Sequence, residues 1–197
     1  SAGTVEFIMG EDRKYFFLEM NTRIQVEHPI TEEITRVDLM REMIEVAFGK
    51  KIAFRQDEIQ MVGHAIECRI CAEDPISMLP APGRVEVIDS LLPQSGRFDH
   101  AIFSGMNIGN DFDPMIGKLI THGRTRDIAI EKMKMALKYL KIKGPLNNIP
   151  LHQALMEDEV FQKGNYSTHF LTSKEFVQRE ESSFSHFMEH VLSLELN

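Results

Sequence analysis

Glu19, Asn21, Arg23, Gln25 and Glu27 stand at every second position of "FFLEMNTRIQVEHPITEE" (16–33), with Met20, Thr22, Ile24 and Val26 between them. In an extended chain successive side chains point to opposite faces, so these five polar groups fall on one face. Two are carboxylates and one is a guanidinium. Carboxylate oxygens suit a hard divalent cation such as Mg²⁺, which keeps part of its coordination for water and phosphate oxygens. A guanidinium fork suits bidentate contact with phosphate or bicarbonate. Glu27, beyond Arg23 on the same side, is available as a base. A solvated edge strand laced with ion pairs has the same pattern, and spacing alone does not choose between the two.

The elements that must carry this face follow from composition and period. "TVEFIM" (4–9) and "KYFFLEMN" (14–21) are rich in β-branched and aromatic residues and flank the polar turn "GEDR", which predicts a β-hairpin. With the loop at 11–14, Gly10 pairs with Tyr15, and the same count sets Glu6 opposite Glu19. Opposed carboxylates destabilise a strand pair unless a shared cation reverses the sign. Pro29 ends the extended run. "VDLMREMIEVAFGK" has helical spacing at Val37, Met40, Ile44, Ala47 and Phe48, with Asp38 at its start and Gly49 as a C-cap. Strands are expected at 64–70, 84–88 and 115–121, with "LPAPGR" (79–84) a turn between the first two. "TRDIAIEKMKMALKYL" predicts a helix with Ile128, Met133, Ala136, Leu137 and Leu140 facing the core and Gly144-Pro145 stopping it. "NNIPLHQALMEDEVFQKG" predicts one or two short helices, and 174–194 a last one whose apolar stripe is Phe184, Phe187, Met188, Val191 and Leu192. Strands with segregated helices indicate an α+β fold.

The 197 residues carry a formal charge of −8 and no run of Lys or Arg, which argues against nucleic acid as a partner. No stretch approaches the roughly 20 apolar residues of a membrane span. Cys68 and Cys71 are the two cysteines. They provide neither a disulfide framework nor the four ligands of a closed zinc site, and are expected as reduced thiols in a cytoplasmic protein. The chain opens on "SAGTVEF", almost inside a strand, as a piece of something longer would.

Taken together, "FLEMNTRIQVEHPITEEIT", "GHAIECRICAEDP", "LPAPGRV", "FDPMIGKLITHGRTRDIAIEKMKMAL" and "NNIPLHQALM" resemble, in order, successive segments of the biotin carboxylases, ATP-grasp enzymes that charge biotin with CO₂. The likeness runs from Gly3 to about Leu171. It implies the C-terminal part of an ATP-grasp domain built of antiparallel strands (1–55), a biotin carboxylase C-terminal domain of mixed β-sheet and helices (56–172) and a helical tail (173–197). By resemblance, Glu6, Glu19 and Asn21 match the metal site for Mg²⁺ or Mn²⁺. Arg23, Gln25 and the backbone of Val26 match the bicarbonate site. Glu27 matches the general base, Arg69 the arginine that stabilises the biotin enolate, and Asp113 an acidic residue of the biotin pocket, where an ordinary turn carboxylate is the alternative. His64 has no such role and is expected to be structural.

The implied substrates are ATP, bicarbonate and biotin. The implied partners are a biotin carboxyl carrier protein, a carboxyltransferase subunit, and a second copy of the intact subunit in a homodimer. Arg97 falls where the family has an arginine at its dimer contact. No G-x-x-x-x-G-K-[ST] or strand-linked G-x-G-x-x-G occurs, so the chain alone is expected not to turn over ATP. Two rivals stand beside this: another ATP-grasp ligase of the carbamoyl-phosphate synthetase type, whose metal strand shares the E-x-N-x-R pattern, and a non-catalytic, carboxylase-derived binding module.

Overall fold

The computed structural model describes residues 1–90, 92 and 96–173. The predicted tail helix lies outside them.

Strands β1 (Thr4–Met9) and β2 (Tyr15–Asn21) form the expected antiparallel hairpin. Its turn is one residue tighter than the sequence count. Gly10 N–H donates to Lys14 O (2.9 Å), Arg13 sits in the left-handed region (φ 61°), and Met9 rather than Gly10 pairs with Tyr15. A bulge between Glu6 and Phe7 then shifts the register: Phe7 faces Phe17, yet Glu6 faces Glu19. A one-residue slip exchanges the faces of a strand. The bulge therefore delivers the opposed carboxylates by a different route from the one the count implied. Edge-to-face contacts of Phe7 with Tyr15 and Phe17 continue the same face toward the turn, since Tyr15 and Phe17 stand at even spacing from Glu19.

The extended run ends earlier than the alternating pattern predicted. Beyond Asn21 the chain bends and turns through 22–27, and helix α1 (His28–Thr35) follows, with Glu27 as its N-cap residue and Pro29 within its first turn. Proline's fixed φ and missing N–H suit that position, so Pro29 starts a helix as well as ending a strand. Helix α2 (Leu39–Ala47) follows, capped by Asp38, whose side chain accepts from Arg41 N–H. Its apolar spacing is not covered: Met40, Ile44 and Phe48 are all exposed, as are most apolar side chains of the hairpin.

The core lies in the second half. Strand β3 (His64–Cys71), short strands β4 (Gly83–Arg84) and β5 (Val87–Asp89), β6 (Gly96–His100), β7 (Asn107–Ile108) and β8 (Met115–Gly123) are followed by helix α3 (Arg126–Tyr139), strand β9 (Lys141–Lys143) and helices α4 (Ile149–Glu157) and α5 (Glu159–Lys163). The strand expected at 84–88 is two pieces, β4 and β5, that pair with different partners, β7 and β9. Helix α3 gives way to β9 before Gly144-Pro145. Gly144 (φ 118°) lies so close to Arg84 that a Cβ there would strike its carbonyl. The main sheet runs β3-β8-β6, antiparallel throughout.

Alternation sorts this sheet into two unlike faces. Ile66, Cys68 and Ile70, with Leu119, pack under α3, where Ala129, Ile130, Met133, Ala136 and Leu137 are buried. Ile128 is exposed instead of in the core, because Ala129 and Ile130 take the inner positions. The opposite face carries Glu67 and Arg69 from β3, Lys118 and Ile120 from β8, and Arg97 and Asp99 from β6. It packs against α1. The α+β expectation holds. Among the described residues no helix is long and apolar enough to cross a membrane.

Candidate functional site

The first cluster is the acidic end of the hairpin. Asn21 Nδ2 donates to Glu6 Oε1 (2.8 Å) and Glu19 Oε1 (3.0 Å), and Gln25 Nε2 donates to Glu6 Oε1 (2.8 Å). Two carboxylates and two amides from β1, β2 and the following bend are thus gathered on one side. A hard cation fits this donor set: Mg²⁺ is commonly held by one or two carboxylates, with water and phosphate completing its octahedron. Among the described residues no group of three or more His, Cys, Asp or Glu is placed to enclose a metal. Rotating the Asn21 amide would present its oxygen instead of its N–H₂ to a cation.

The second cluster joins α1 to the charged face of the sheet. Arg69 Nη2 donates to Glu27 Oε2 at 2.7 Å, and Arg69 Nε lies 3.6 Å from Glu67 Oε1. Arg69 and Glu27 are each about half exposed, so their pair is worth only about 0–1 kcal/mol and exchanges readily. Glu67 differs: its side chain is 5% exposed, and burial pushes its carboxyl above the ordinary range, opposed by the charges of Lys118 and Arg69. Lys118 Nζ donates to the carbonyl of Val26 (2.9 Å), tying the residue before Glu27 to β8.

Arg69 is fixed from behind. Its carbonyl accepts from Asn148 Nδ2 (3.1 Å) and from His152 Nε2 (2.9 Å), while Asn148 Oδ1 accepts from Cys71 N–H (2.9 Å). The "NNIPLHQ" segment thereby clamps the end of β3. For His152 to donate, its Nε2 must carry the proton, and burial lowers its pKa, favouring that neutral form. On the far side of the same face, Arg97 makes a fork to Asp99 (2.8 Å twice) and reaches Glu32 Oε2 (2.7 Å) on α1. Asp99 and then Glu32 hold this guanidinium firmly protonated. Glu32 Oε1 in turn accepts from Leu39 N–H (2.9 Å), joining the network to α2.

Of the residues singled out by sequence, Glu6, Glu19, Asn21 and Gln25 converge, and Glu27 meets Arg69 while the Val26 carbonyl is held by Lys118. Arg23 and Asp113 are not drawn into either set of contacts. Arg23 donates to Ile24 O (3.2 Å), and Asp113 accepts from Met115 N–H at the start of β8 (2.9 Å). Phe112 and Pro114, flanking Asp113, line a cavity of about 250 Å³ with Ala72, Pro80, Pro82 and Ile108. Cys68 and Cys71 are free thiols; burial raises them to about 12 and about 11. Lys118, Glu67, Asn148 and His152 join the site without having been singled out by sequence. The period-2 alternation of "HAIECRI" was the available signal for Glu67, since it sets Glu67 and Arg69 on one face; only the pairing of Arg69 with Lys118 adds the lysine.

Residues 67–173 match the sequence model of the biotin carboxylase C-terminal domain, and residues 1–55 match that of the carbamoyl-phosphate synthase L chain ATP-binding domain. Biotin carboxylase of Haemophilus influenzae is 49% identical over 173 residues, covering 88% of this chain and 38% of that protein. A pyruvate carboxylase subunit of Methanothermobacter thermautotrophicus is 46% identical over 172 residues, covering 87% and 35%. Among solved structures, the biotin carboxylase domain dimer of Hydrogenobacter thermophilus 2-oxoglutarate carboxylase, in complex with MgADP, ADP and bicarbonate, superposes with a TM-score of 0.84 at 39% identity over 89% of this chain and 39% of that one. The chain thus spans a little over a third of the length of these relatives. The match over 67–173 separates it from the carbamoyl-phosphate synthetases, with which residues 1–55 alone share a model.

Proposed function

This chain belongs to the biotin carboxylase family, and on that premise we propose that it supplies the metal, bicarbonate and enolate-stabilising side of an ATP-dependent biotin carboxylase. Glu6, Glu19 and Asn21 hold a Mg²⁺ or Mn²⁺ ion on the nucleotide. Such an ion, when bound, neutralises charge on the ATP phosphates. Arg23, Gln25 and the Val26 backbone orient bicarbonate, so that their contribution is positioning and charge complementarity. Glu27 accepts the bicarbonate proton. The bicarbonate oxygen then attacks the γ-phosphorus of ATP, giving carboxyphosphate and ADP. Carboxyphosphate releases CO₂ and phosphate, the phosphate takes the N1′ proton of biotin, and Arg69 balances the enolate that captures CO₂. Asp113 borders the biotin pocket.

The observation that carries this reading is the 2.7 Å contact of Glu27 with Arg69, which supports pairing a carboxylate base with an anion-stabilising guanidinium, while Gln25, two residues before Glu27, bonds to Glu6. The magnesium, nucleotide and bicarbonate of the Hydrogenobacter structure support the ligands. Its dimer supports homodimerisation, and the subunit status of the Methanothermobacter relative supports a separate biotin carrier and carboxyltransferase.

The test is Glu27→Gln in the full-length gene product. Bicarbonate-dependent ATP cleavage is expected to fall by about 10²–10⁴-fold, the usual contribution of a general base. Activity within about threefold of wild type would remove Glu27 from the mechanism. A ligase of another class would show itself by turnover that does not require biotin.

A further inference from the structure

Glu67 has no part in the reaction just described, yet among the ion-paired acids of the charged face it is the most buried. Its side chain is 5% exposed, Oε1 lies 3.6 Å from Arg69 Nε, and no donor among the described residues reaches the buried Oε2. A buried carboxylate oxygen without a partner is costly, and native structures seldom leave one so without a reason. The groups that face it are Arg69 on its own strand, Lys118 on β8 and Glu27 at the head of α1. Lys118 Nζ donates to Val26 O and makes no hydrogen bond to Glu67, although its ammonium keeps two further N–H donors. Arg69 is the cation whose geometry is set for the contact: Nη2 is on Glu27, and the Nε edge is turned toward Glu67 at 3.6 Å.

Arg69 is therefore shared between two acids of opposite character. Glu27 is half exposed and holds it by one short hydrogen bond, whereas Glu67 is buried and holds it by charge across 3.6 Å with one oxygen still open. If Glu27 removes the bicarbonate proton, the bicarbonate O–H bond breaks and the proton passes to the Glu27 carboxylate. Glu27 is then neutral and no longer balances the guanidinium. A second anion must hold Arg69 at that moment, or the cation is left to water.

We propose that Glu67 is a positioning residue, the carboxylate onto which Arg69 closes as a two-pronged pair when Glu27 takes up its proton. The inference rests on the assignment of Glu27 and Arg69 given above. The open Oε2 is the acceptor for the second prong, and a planar guanidinium is the donor that can fill it without moving off β3. Glu67 thus acts through Arg69, keeping the positive charge in the site while Glu27 works as a base.

Glu67→Gln in the full-length gene product keeps the shape and removes the charge. The expected result is a kcat for bicarbonate-dependent ATP cleavage lower by about ten- to a hundredfold, with the KM for MgATP within about twofold of wild type. In an Arg69→Ala background the same substitution adds less than about twofold, because its target is gone. Wild-type kcat in Glu67→Gln, or an undiminished further loss on Arg69→Ala, overturns the proposal. Should Glu67→Gln fail to fold by its thermal melt, Arg69→Lys decides. It keeps the charge at a half-exposed position but has no fork to span both acids, so wild-type kcat there also overturns the proposal. Glu27→Gln is assayed alongside. If it too is fully active, the assignment of the site has failed; if it is inactive while Glu67→Gln is normal, the role of Glu67 alone is excluded.

Discussion

The two faces of the β3-β8-β6 sheet are made by the same strands and differ in almost everything else. Under α3 lie Cys68, Ile70 and Leu119, closed off from water. Under α1 lie Glu67, Arg69, Lys118, Arg97 and Asp99, linked through ion pairs to Glu27 and Glu32. Burial of apolar area is favourable in proportion to area and indifferent to direction. Charged groups repay burial only when each finds a partner at the right distance. One face therefore secures the sheet, and the other can exist only because the sheet is already rigid enough to hold its charges in register.

Substitutions on the two faces should separate these roles. The largest effect is expected at Leu119, which is fully buried. Leu119→Ala should cost about 2–5 kcal/mol of unfolding free energy, measured by denaturant titration, while the KM for bicarbonate stays within about twofold. A loss of bicarbonate binding without loss of stability would show that the faces are not separable.

Lys118→Met reverses the pattern. It removes the charged donor to Val26 O, a bond of about 1.5–3 kcal/mol, so kcat/KM for bicarbonate should drop by roughly ten- to a hundredfold. Unchanged kcat/KM would place Lys118 outside the site.

The smallest effect concerns His152, behind Arg69, and it is read against pH. Burial holds its pKa below the ordinary 6.5. The unfolded chain therefore takes up a proton on acidification before the folded one does. The stability tied to neutral His152 is fully present above about pH 6.5 and is lost as the pH falls through the folded value. Between about pH 7.5 and about 5.5 the wild-type melting temperature should fall more than that of His152→Gln. Parallel curves would show that His152 titrates alike in both states.

The hairpin offers a harsher contrast. Phe7, Phe16, Phe17 and Met20 are all more than half exposed, although they carry the strand-forming signal as clearly as β3 does. Strand pairing and cross-strand aromatic contacts were legible there because they are local. What covers those side chains is not a local property. For the same reason the helical period of α2 was visible in sequence while the exposure of Met40, Ile44 and Phe48 was not: period reports which side is apolar, never whether something lies on it. The inner side of α3 was mostly legible, with Ile128 misplaced, since several residues of a long stripe constrain its rotation together. The short strands β6, β7 and β9 left almost no local trace, and they exist through their pairing with β8, β4 and β5.

By itself the sequence determined the kinds of groups available, their order, and the resemblance that names their roles. Alternation and turn chemistry act between near neighbours and are written into the chain. Tertiary structure decided the rest: a bulge in the hairpin that turned Glu6 toward Glu19, a bend after Asn21 that folded Gln25 back onto Glu6, and a helix that carried Glu27 to Arg69 across 42 residues of chain. Those outcomes depend on where distant segments come to rest, because a charge is stabilised only by a partner within a few ångströms, and distance in space is not encoded by distance along the chain.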